Sequence, residues 1–185
     1  MEHANDILVA VVKQAGRGDE SAQGLLYRQF SKAMFNICMR MADHRQDAED
    51  LLQESFLLAF RSLPQLKEPA SFGGWLKRIV INECIRYSKK MVRWQDIEQL
   101  PEQADAEEMT DWFREIDIGR VNEEIRKLPA ACKAVFNLYV LEEYSHKEIA
   151  TALGISESTS KSQYHRARQL LRERLVKFEK KKMHG

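Results

Sequence analysis

Residues 143–175 read EYSHKEIATALGISESTSKSQYHRARQLLRERL, and this stretch determines how the C-terminal part of the chain folds. Ser145 can cap a first helix, and Glu148, three residues later, completes a capping box. Gly154 can adopt the left-handed conformation that ends this helix, and Ser156 can cap a second one. Two short helices joined by a turn that contains glycine predict a helix-turn-helix, whose second helix enters the major groove of DNA.

The second helix of this stretch has two faces. Ser160, Tyr164, Ala167, Leu171 and Leu175 recur at helical spacing, and we expect them to pack inward. Small hydroxyls followed by bases suit a major groove, because arginine can bind guanine O6 and N7 or a phosphate. A solvated basic helix at the end of a bundle is the alternative interpretation. The residues predicted to face outward or to flank that face are Ser158, Thr159, Lys161, Ser162, His165, Arg166, Arg168 and Gln169.

Charge is unevenly distributed along the 185 residues, although the net charge is only +1. Residues 95–124 contain eleven acids and two bases, whereas residues 161–185 contain nine bases and two acids. This asymmetry indicates a nucleic-acid surface beside an acidic segment with a different role. The 44% hydrophobic fraction is enough for one large core or two small ones.

The cysteines and the hydropathy exclude several classes of protein. Cys38, Cys84 and Cys132 are widely spaced and have no zinc-binding pattern, so we expect buried thiols in a reducing cytoplasm. We expect neither a metal nor a cofactor. The apolar runs fall short of the ~18 residues of a membrane span, and the N-terminus lacks the features of a signal peptide.

Helical spacing dominates the whole chain, so the predicted fold is all-α. We expect two small helical bundles, residues 1–92 and 119–185, joined by an acidic linker at 93–118, with the helix-turn-helix in the second bundle. The predicted helices begin at Asn5 or Asp6, Ser21, Asp47, Ser71 or Phe72, Gly119 or Val121, and Pro129, and the first four end at Gln14, Met41, Leu63 and Lys90.

Two helices of the first bundle have distinctive outer faces. An acidic and polar stripe with one leucine, on the helix at 47–63, suits a protein partner, although an ordinary solvated face is the alternative. On the helix that follows, an aromatic among bases suits single-stranded nucleic acid, although Trp75 taken alone fits a core position better. The stripe comprises Asp47, Asp50, Gln53, Glu54 and Leu57, and the second face comprises Trp75, Lys77, Arg78, Asn82, Arg86 and Lys89.

These segments together resemble the extracytoplasmic-function group of the sigma-70 family. DAEDLLQESFLLAFRSL (47–63) is similar to the helix of region 2 that docks on core RNA polymerase. SFGGWLKRIVIN (71–82) is similar to the helix that reads the −10 promoter element, and residues 128–175 resemble region 4, which binds the −35 element. The resemblance implies a transcription initiation factor rather than an enzyme. Core RNA polymerase, promoter DNA and an anti-sigma factor are the implied partners, in the cytoplasm or held at the membrane by that factor.

The resemblance also implies roles for individual residues. The acidic stripe at Asp47–Leu57 would bind the polymerase clamp, and Leu66 with Asn82 would line the pocket for an expelled −10 base. The remaining −10 contacts would be Lys67, Ser71, Trp75, Lys77, Arg78 and Arg86, and the −35 contacts would be Ser158, Thr159, Lys161, Ser162, His165, Arg166 and Arg168.

The sequence departs from the family pattern at four of these positions or beside them. Leu66 replaces a frequent aromatic, Gly74 replaces a usual Thr, Ser160 replaces an inward Val, and Gln163 replaces a frequent Arg. We expect Ser160 to loosen the reading helix and Gln163 to remove a phosphate contact. A free-standing operator-binding regulator is the main rival, and an enzyme that uses Asp47, Glu49 and Asp50 as metal ligands is a distant third.

Overall fold

The computed structural model describes residues 2–92 and 118–183, which form helices and turns without a strand in those ranges. This confirms the all-α prediction. The linker predicted at 93–118 lies outside the described residues except for Ile118. The helices are α1 (Glu2–Gly16), α2 (Glu20–Met41), α3 (Arg45–Ser62), α4 (Phe72–Met91), α5 (Ile118–Arg126), α6 (Ala130–Phe136), α7 (His146–Leu153) and α8 (Glu157–Met183).

The chain divides into two compact units, residues 1–84 and 85–185, and the division falls within α4. Two helical units agree with the predicted fold class, whereas the boundaries predicted at residues 92 and 119 stay predictions. Within the described ranges, no helix has both the length and the apolar character required to span a membrane.

The core of the first unit forms where α2, α3 and α4 each bury an apolar stripe, although Leu25, which helical spacing places on the stripe of α2, is 49% exposed. On α3, Ser55 is fully buried among apolar neighbours, and its hydroxyl donates to the Leu51 carbonyl at 2.6 Å. That bond satisfies a polar group which would otherwise be costly to bury. The buried residues of α3 are Ala48, Leu51, Leu52, Ser55, Phe56 and Ala59.

Glycine at position 73 allows α4 to approach α2 closely. Phe30 on α2 packs edge-on against Phe72 on α4, with ring centroids 5.2 Å apart. A Cβ at Gly73 would lie 3.0 Å from the Phe30 ring, whereas a Cβ at Gly74 would meet open space. Close backbone approach therefore explains the glycine in the first turn at 73 but not the one at 74.

The core of the second unit joins α5, α6 and α8. Ala167, Leu171 and Leu175 are buried as the periodicity of α8 predicted, and Tyr164 is half-buried against them. Apolar side chains at three- and four-residue steps pack α8 along its length, which fixes the face that it leaves to solvent. The other buried members of this cluster are Ile125, Leu128, Cys132 and Phe136.

Most helix boundaries lie within two residues of those predicted, but the start of α1 and the helix predicted from Pro129 to Tyr144 differ more. α1 begins at Glu2, so Asn5 and Asp6 lie inside the helix and do not cap it. The helix that begins at Ala130 changes to a π-helical turn at Asn137–Leu141, and Glu143, which follows it, has a positive φ of +59°. Tyr144 therefore lies outside the helix, and its amide donates back to the Leu138 carbonyl at 2.9 Å.

Candidate nucleic-acid interface

The first helix of the helix-turn-helix begins with the predicted capping box. The Ser145 hydroxyl accepts from the Glu148 amide at 3.2 Å, and the Ser145 amide donates to Glu148 Oε2 at 2.8 Å. The hydroxyl also donates to the same carboxylate oxygen at 2.7 Å. The bond from the Ser145 hydroxyl lowers the pKa of Glu148 most, and the bond from the Ser145 backbone amide lowers it further. The start of α7 is thereby fixed by its own residues.

The turn between α7 and α8 also follows the sequence prediction. Gly154 adopts the left-handed conformation with φ +73°, and its amide and that of Ile155 both bond to the Ala150 carbonyl. Ser156 caps α8, because its hydroxyl accepts from the Thr159 amide at 3.0 Å. Local chemistry at Gly154 and Ser156 therefore sets where α7 ends and where α8 begins.

The exposed face of α8 carries most of the predicted −35 residues. Ser158, Lys161 and Arg166 are exposed, and His165 and Arg168 are half-buried. Lys161 pairs with Glu157 at 3.3 Å on the surface, a pair that contributes little. A small hydroxyl, a lysine, a histidine and arginines consequently line the side of α8 that DNA could approach.

The prediction that Thr159 and Ser162 lie on this face is wrong. Both are buried, at 6% and 7% exposure. The Thr159 hydroxyl lies 2.8 Å from that of Ser156 within the helix cap, and the Ser162 hydroxyl donates to the Thr159 carbonyl at 3.0 Å. Both hydroxyls serve the first turns of α8 itself, so they are not presented to a base edge.

The two residues of α8 that depart from the family pattern, Ser160 and Gln163, are both buried within the second unit. Ser160 is fully buried, and its hydroxyl lies 2.9 Å from Nδ1 of His146 on α7. This hydrogen bond joins α8 to α7, whereas we expected Ser160 to loosen the reading helix. Gln163 is buried at 2% exposure and accepts from the Cys132 thiol at 3.2 Å. It connects α8 to α6, a role that the sequence did not reveal.

The −10 residues predicted in the first unit fall on two elements. Leu66 and Lys67 lie between two 3₁₀ turns, Leu63–Gln65 and Pro69–Ser71. Leu66 is half-buried and Lys67 is exposed, while the Ser71 hydroxyl donates to the Glu68 carbonyl at 2.7 Å. The second turn leads directly into α4, so it links this loop to the helix.

On α4 the predicted −10 face is solvent-accessible. Arg78, Asn82 and Arg86 are exposed, and Lys77 is half-buried. Trp75 is also half-buried, with its ring 6.0 Å from that of Phe72, so it is not a core residue but is anchored to one. An aromatic held at one edge, beside exposed bases and an amide, can stack on a base and contact the backbone of a single strand.

The acidic stripe on α3 is exposed as predicted. Asp50, Gln53 and Glu54 are exposed, Leu57 is 55% exposed, and Asp47 is half-buried. Leu58, which the sequence did not single out, is 39% exposed and widens the apolar end of the stripe. Carboxylates and an apolar end together suit a protein surface with cations and apolar side chains.

The thiols and the carboxylates have no arrangement suited to a metal ion in the described parts of the chain. Within those parts, no group of three or more His, Cys, Asp or Glu side chains could hold one. All three cysteines are buried thiols that form no disulfide. A hydrogen bond with Cys84 lowers the pKa of Cys38 against the effect of burial, whereas burial raises the pKa of Cys132.

A helical protein that contains a helix-turn-helix, with a basic outer face on the second of its two helices, belongs to the class of DNA-binding proteins. Comparisons with known families define it further. Residues 26–94 match Sigma-70 region 2, and residues 118–171 match Sigma-70 region 4.

Curated relatives agree with this assignment. The chain is 32% identical over 169 residues to the ECF RNA polymerase sigma factor SigE of Mycolicibacterium smegmatis. The aligned residues cover 86% of this chain and 65% of the relative. It is 27% identical over 178 residues to the ECF RNA polymerase sigma-E factor of Haemophilus influenzae, with 90% and 94% covered. The chain thus spans 65% of the length of the first relative and nearly all of the second.

Among solved structures, the chain resembles the sigma factor RpoE from Bartonella quintana, crystallised with the anti-sigma factor NepR. The TM-score is 0.49 at 22% identity, with 83% of this chain and 96% of that chain covered. The matches to regions 2 and 4, in that order, together with the curated relatives, show that the chain belongs to the ECF group of the sigma-70 family. Its function is therefore that of a transcription initiation factor for RNA polymerase.

Proposed function

We propose that the protein directs core RNA polymerase to promoters through two DNA anchors of its own. α8 reads duplex DNA at the −35 element, and α4 with the loop before it captures a base of the −10 element. The observation that carries this proposal is the exposed face of α8, where Ser158, Lys161 and Arg166 stand on a helix whose start and entry turn are fixed by capping.

Binding at the −35 element would combine base and phosphate contacts. The Arg166 side chain is long enough to bind guanine O6 and N7, and Lys161 and Arg168 suit phosphates. Thr159 and Ser162 are left out of this set because their hydroxyls bond within the helix.

Strand opening would depend on the first unit. The exposed Asn82 amide has donors and an acceptor for the edge of an expelled base, and Trp75 offers a stacking face. Expelling a base costs a few kcal/mol, so polymerase binding through Asp50, Gln53, Glu54 and Leu57 must hold the factor on the promoter meanwhile. The protein would thus act stoichiometrically, in the cytoplasm, without catalysis of its own.

An anti-sigma factor would regulate the protein by covering these surfaces. The apolar pair Leu57 and Leu58, 55% and 39% exposed beside carboxylates, is a surface that cannot serve polymerase and an inhibitor together. Affinity purification of the tagged chain from its host, with and without inducing stress, should retrieve an inhibitor only without stress. Retrieval of core polymerase alone in both states would contradict this regulation.

Promoter-directed transcription by the reconstituted holoenzyme tests the proposal. The full-length protein and core polymerase should give specific transcripts from a promoter library. Arg166→Ala should weaken −35 selection, whereas Asn82→Ala should spare −35 binding and reduce strand opening. Tight sequence-specific binding to duplex DNA without polymerase, and no transcript with it, would instead favour a free-standing regulator.

A further inference from the structure

The two helices of the helix-turn-helix are joined through a polar contact inside the second unit. Ser160 is fully buried at an inward position of α8, where its neighbours on the same stripe are Tyr164 and Ala167. A buried hydroxyl needs a partner, because an unsatisfied one is costly. The partner is His146 Nδ1, 2.9 Å away on the first residue of α7.

Two aromatic rings, which also contact each other, pack against the His146 imidazole. Tyr139, in the π-helical turn before α7, stacks on it with centroids 4.4 Å apart and planes 15° apart. Tyr164 on α8 lies 4.5 Å from Tyr139 and 5.6 Å from His146. The imidazole is therefore fixed by α8 at two points one turn apart, Ser160 and Tyr164. Rotation of α8 about its axis would break the hydrogen bond and disturb the ring contacts.

This cluster continues to the DNA-facing side of α8. The Arg168 guanidinium lies over the Tyr164 ring, 5.7 Å from its centroid. Ser158 and Lys161 flank Ser160 in sequence, so any rotation of α8 at Ser160 moves them as well. Base readout needs donor–acceptor distances of about 2.7–3.2 Å, so a small rotation changes which bases can be bound.

We propose that His146 and Ser160 are positioning residues that set the orientation of α8 and, through it, the preferred −35 sequence. This inference rests on the proposed reading of −35 DNA by α8. Ser160 is fully buried and cannot touch DNA, and the half-buried His146 would act through Ser160 and Tyr164. An apolar residue at 160 would leave the orientation to packing alone, whereas the hydrogen bond adds a directional constraint.

Three variants separate positioning from simple stability. Ser160→Val restores an apolar side chain, and His146→Phe keeps a ring to stack on Tyr139 while removing the hydrogen bond. His146→Asn keeps a donor and an acceptor near the position of Nδ1 and should rescue the wild-type behaviour. Leu128→Val is the matched control, because it loosens the core of the same unit and leaves the His146–Ser160 bond in place.

The measurement is transcription by full-length holoenzymes on a library with a randomised −35 element and a constant −10 element. We expect Ser160→Val and His146→Phe each to change the ratio between preferred and rejected −35 bases by about threefold or more. The double variant should resemble the single ones, since both remove the same bond. His146→Asn and Leu128→Val should keep the wild-type preference.

Unchanged −35 preferences in Ser160→Val and His146→Phe would overturn the inference, and so would an equal shift in Leu128→Val. Failure of the proposed function has a different signature, because the wild-type holoenzyme would then give no promoter-directed transcript. Additive shifts in the double variant would also contradict the positioning role of His146 and Ser160, since independent effects do not come from one shared bond.

Discussion

Single residues in both units have roles that follow from backbone geometry. Gly73 and Gly74 are adjacent in the first turn of α4 and differ in what a Cβ would meet. Gly73→Ala should destabilise the protein, because the new methyl group would lie 3.0 Å from Phe30. Gly74→Ala, the matched control, should stabilise it by about 0.4–1 kcal/mol. Thermal unfolding of the full chain measures both, and stabilisation by Gly73→Ala would contradict the close packing of α4 on α2.

Glu143 lies between the π-helical turn and α7 and has a positive φ of +59°. A side chain in this left-handed region carries a steric cost that glycine avoids. We expect Glu143→Gly to stabilise the second unit by about 0.5–1 kcal/mol. Glu143→Ala removes the carboxylate but keeps the Cβ, so it should give no such gain. A gain of equal size in both variants would show that charge and not backbone strain matters there.

At the scale of elements, the start of α7 makes stability depend on pH. The pKa of Glu148 is lowered from its ordinary value of 4.5 by the Ser145 hydroxyl and then by the Ser145 amide. A lowered pKa means that the contribution is present above pH 4.5 and is lost as pH falls through the folded-state pKa. Wild-type protein should therefore lose its advantage over Glu148→Gln as the pH falls from neutrality to below that range.

Unfolding of both proteins in denaturant at several pH values measures this difference. Ser145→Ala is the companion variant: it should cost about 1 kcal/mol at neutral pH and weaken the same pH dependence. A pH profile of Ser145→Ala that matches the wild type would show that the capping box does not hold the carboxylate.

The helix-turn-helix was predictable because its signals are local. Ser145, Glu148, Gly154 and Ser156 each act within a few residues, and the structure has all four in the expected roles. The start of α1 was missed, since a cap at Asn5 or Asp6 is worth only about 1 kcal/mol and can be overridden. The π-helical turn at Asn137–Leu141 had no sequence signal and depends on how its residues pack.

Across the whole molecule, the fold class, the family and most exposed site residues could be predicted from the sequence, whereas contacts between distant residues could not. The His146–Ser160 bond joins residues 14 apart, and the Cys132–Gln163 bond joins residues 31 apart. Helical periodicity predicted that Ser160 faces inward but did not give its partner, and it did not predict that Gln163 is buried against Cys132. The burial of Thr159 and Ser162 was missed because periodicity does not show where a hydroxyl bonds.

The central claim is that one chain selects the promoter and helps to open it, and reactivity of single-stranded −10 thymines to permanganate tests it most directly. Full-length protein with core polymerase should make −10 thymines reactive on a promoter with intact −35 and −10 elements. Reactivity should fall strongly with Asn82→Ala or a scrambled −35 element and be absent with core polymerase alone. A stable complex of protein, polymerase and promoter that leaves the −10 thymines unreactive would contradict the account.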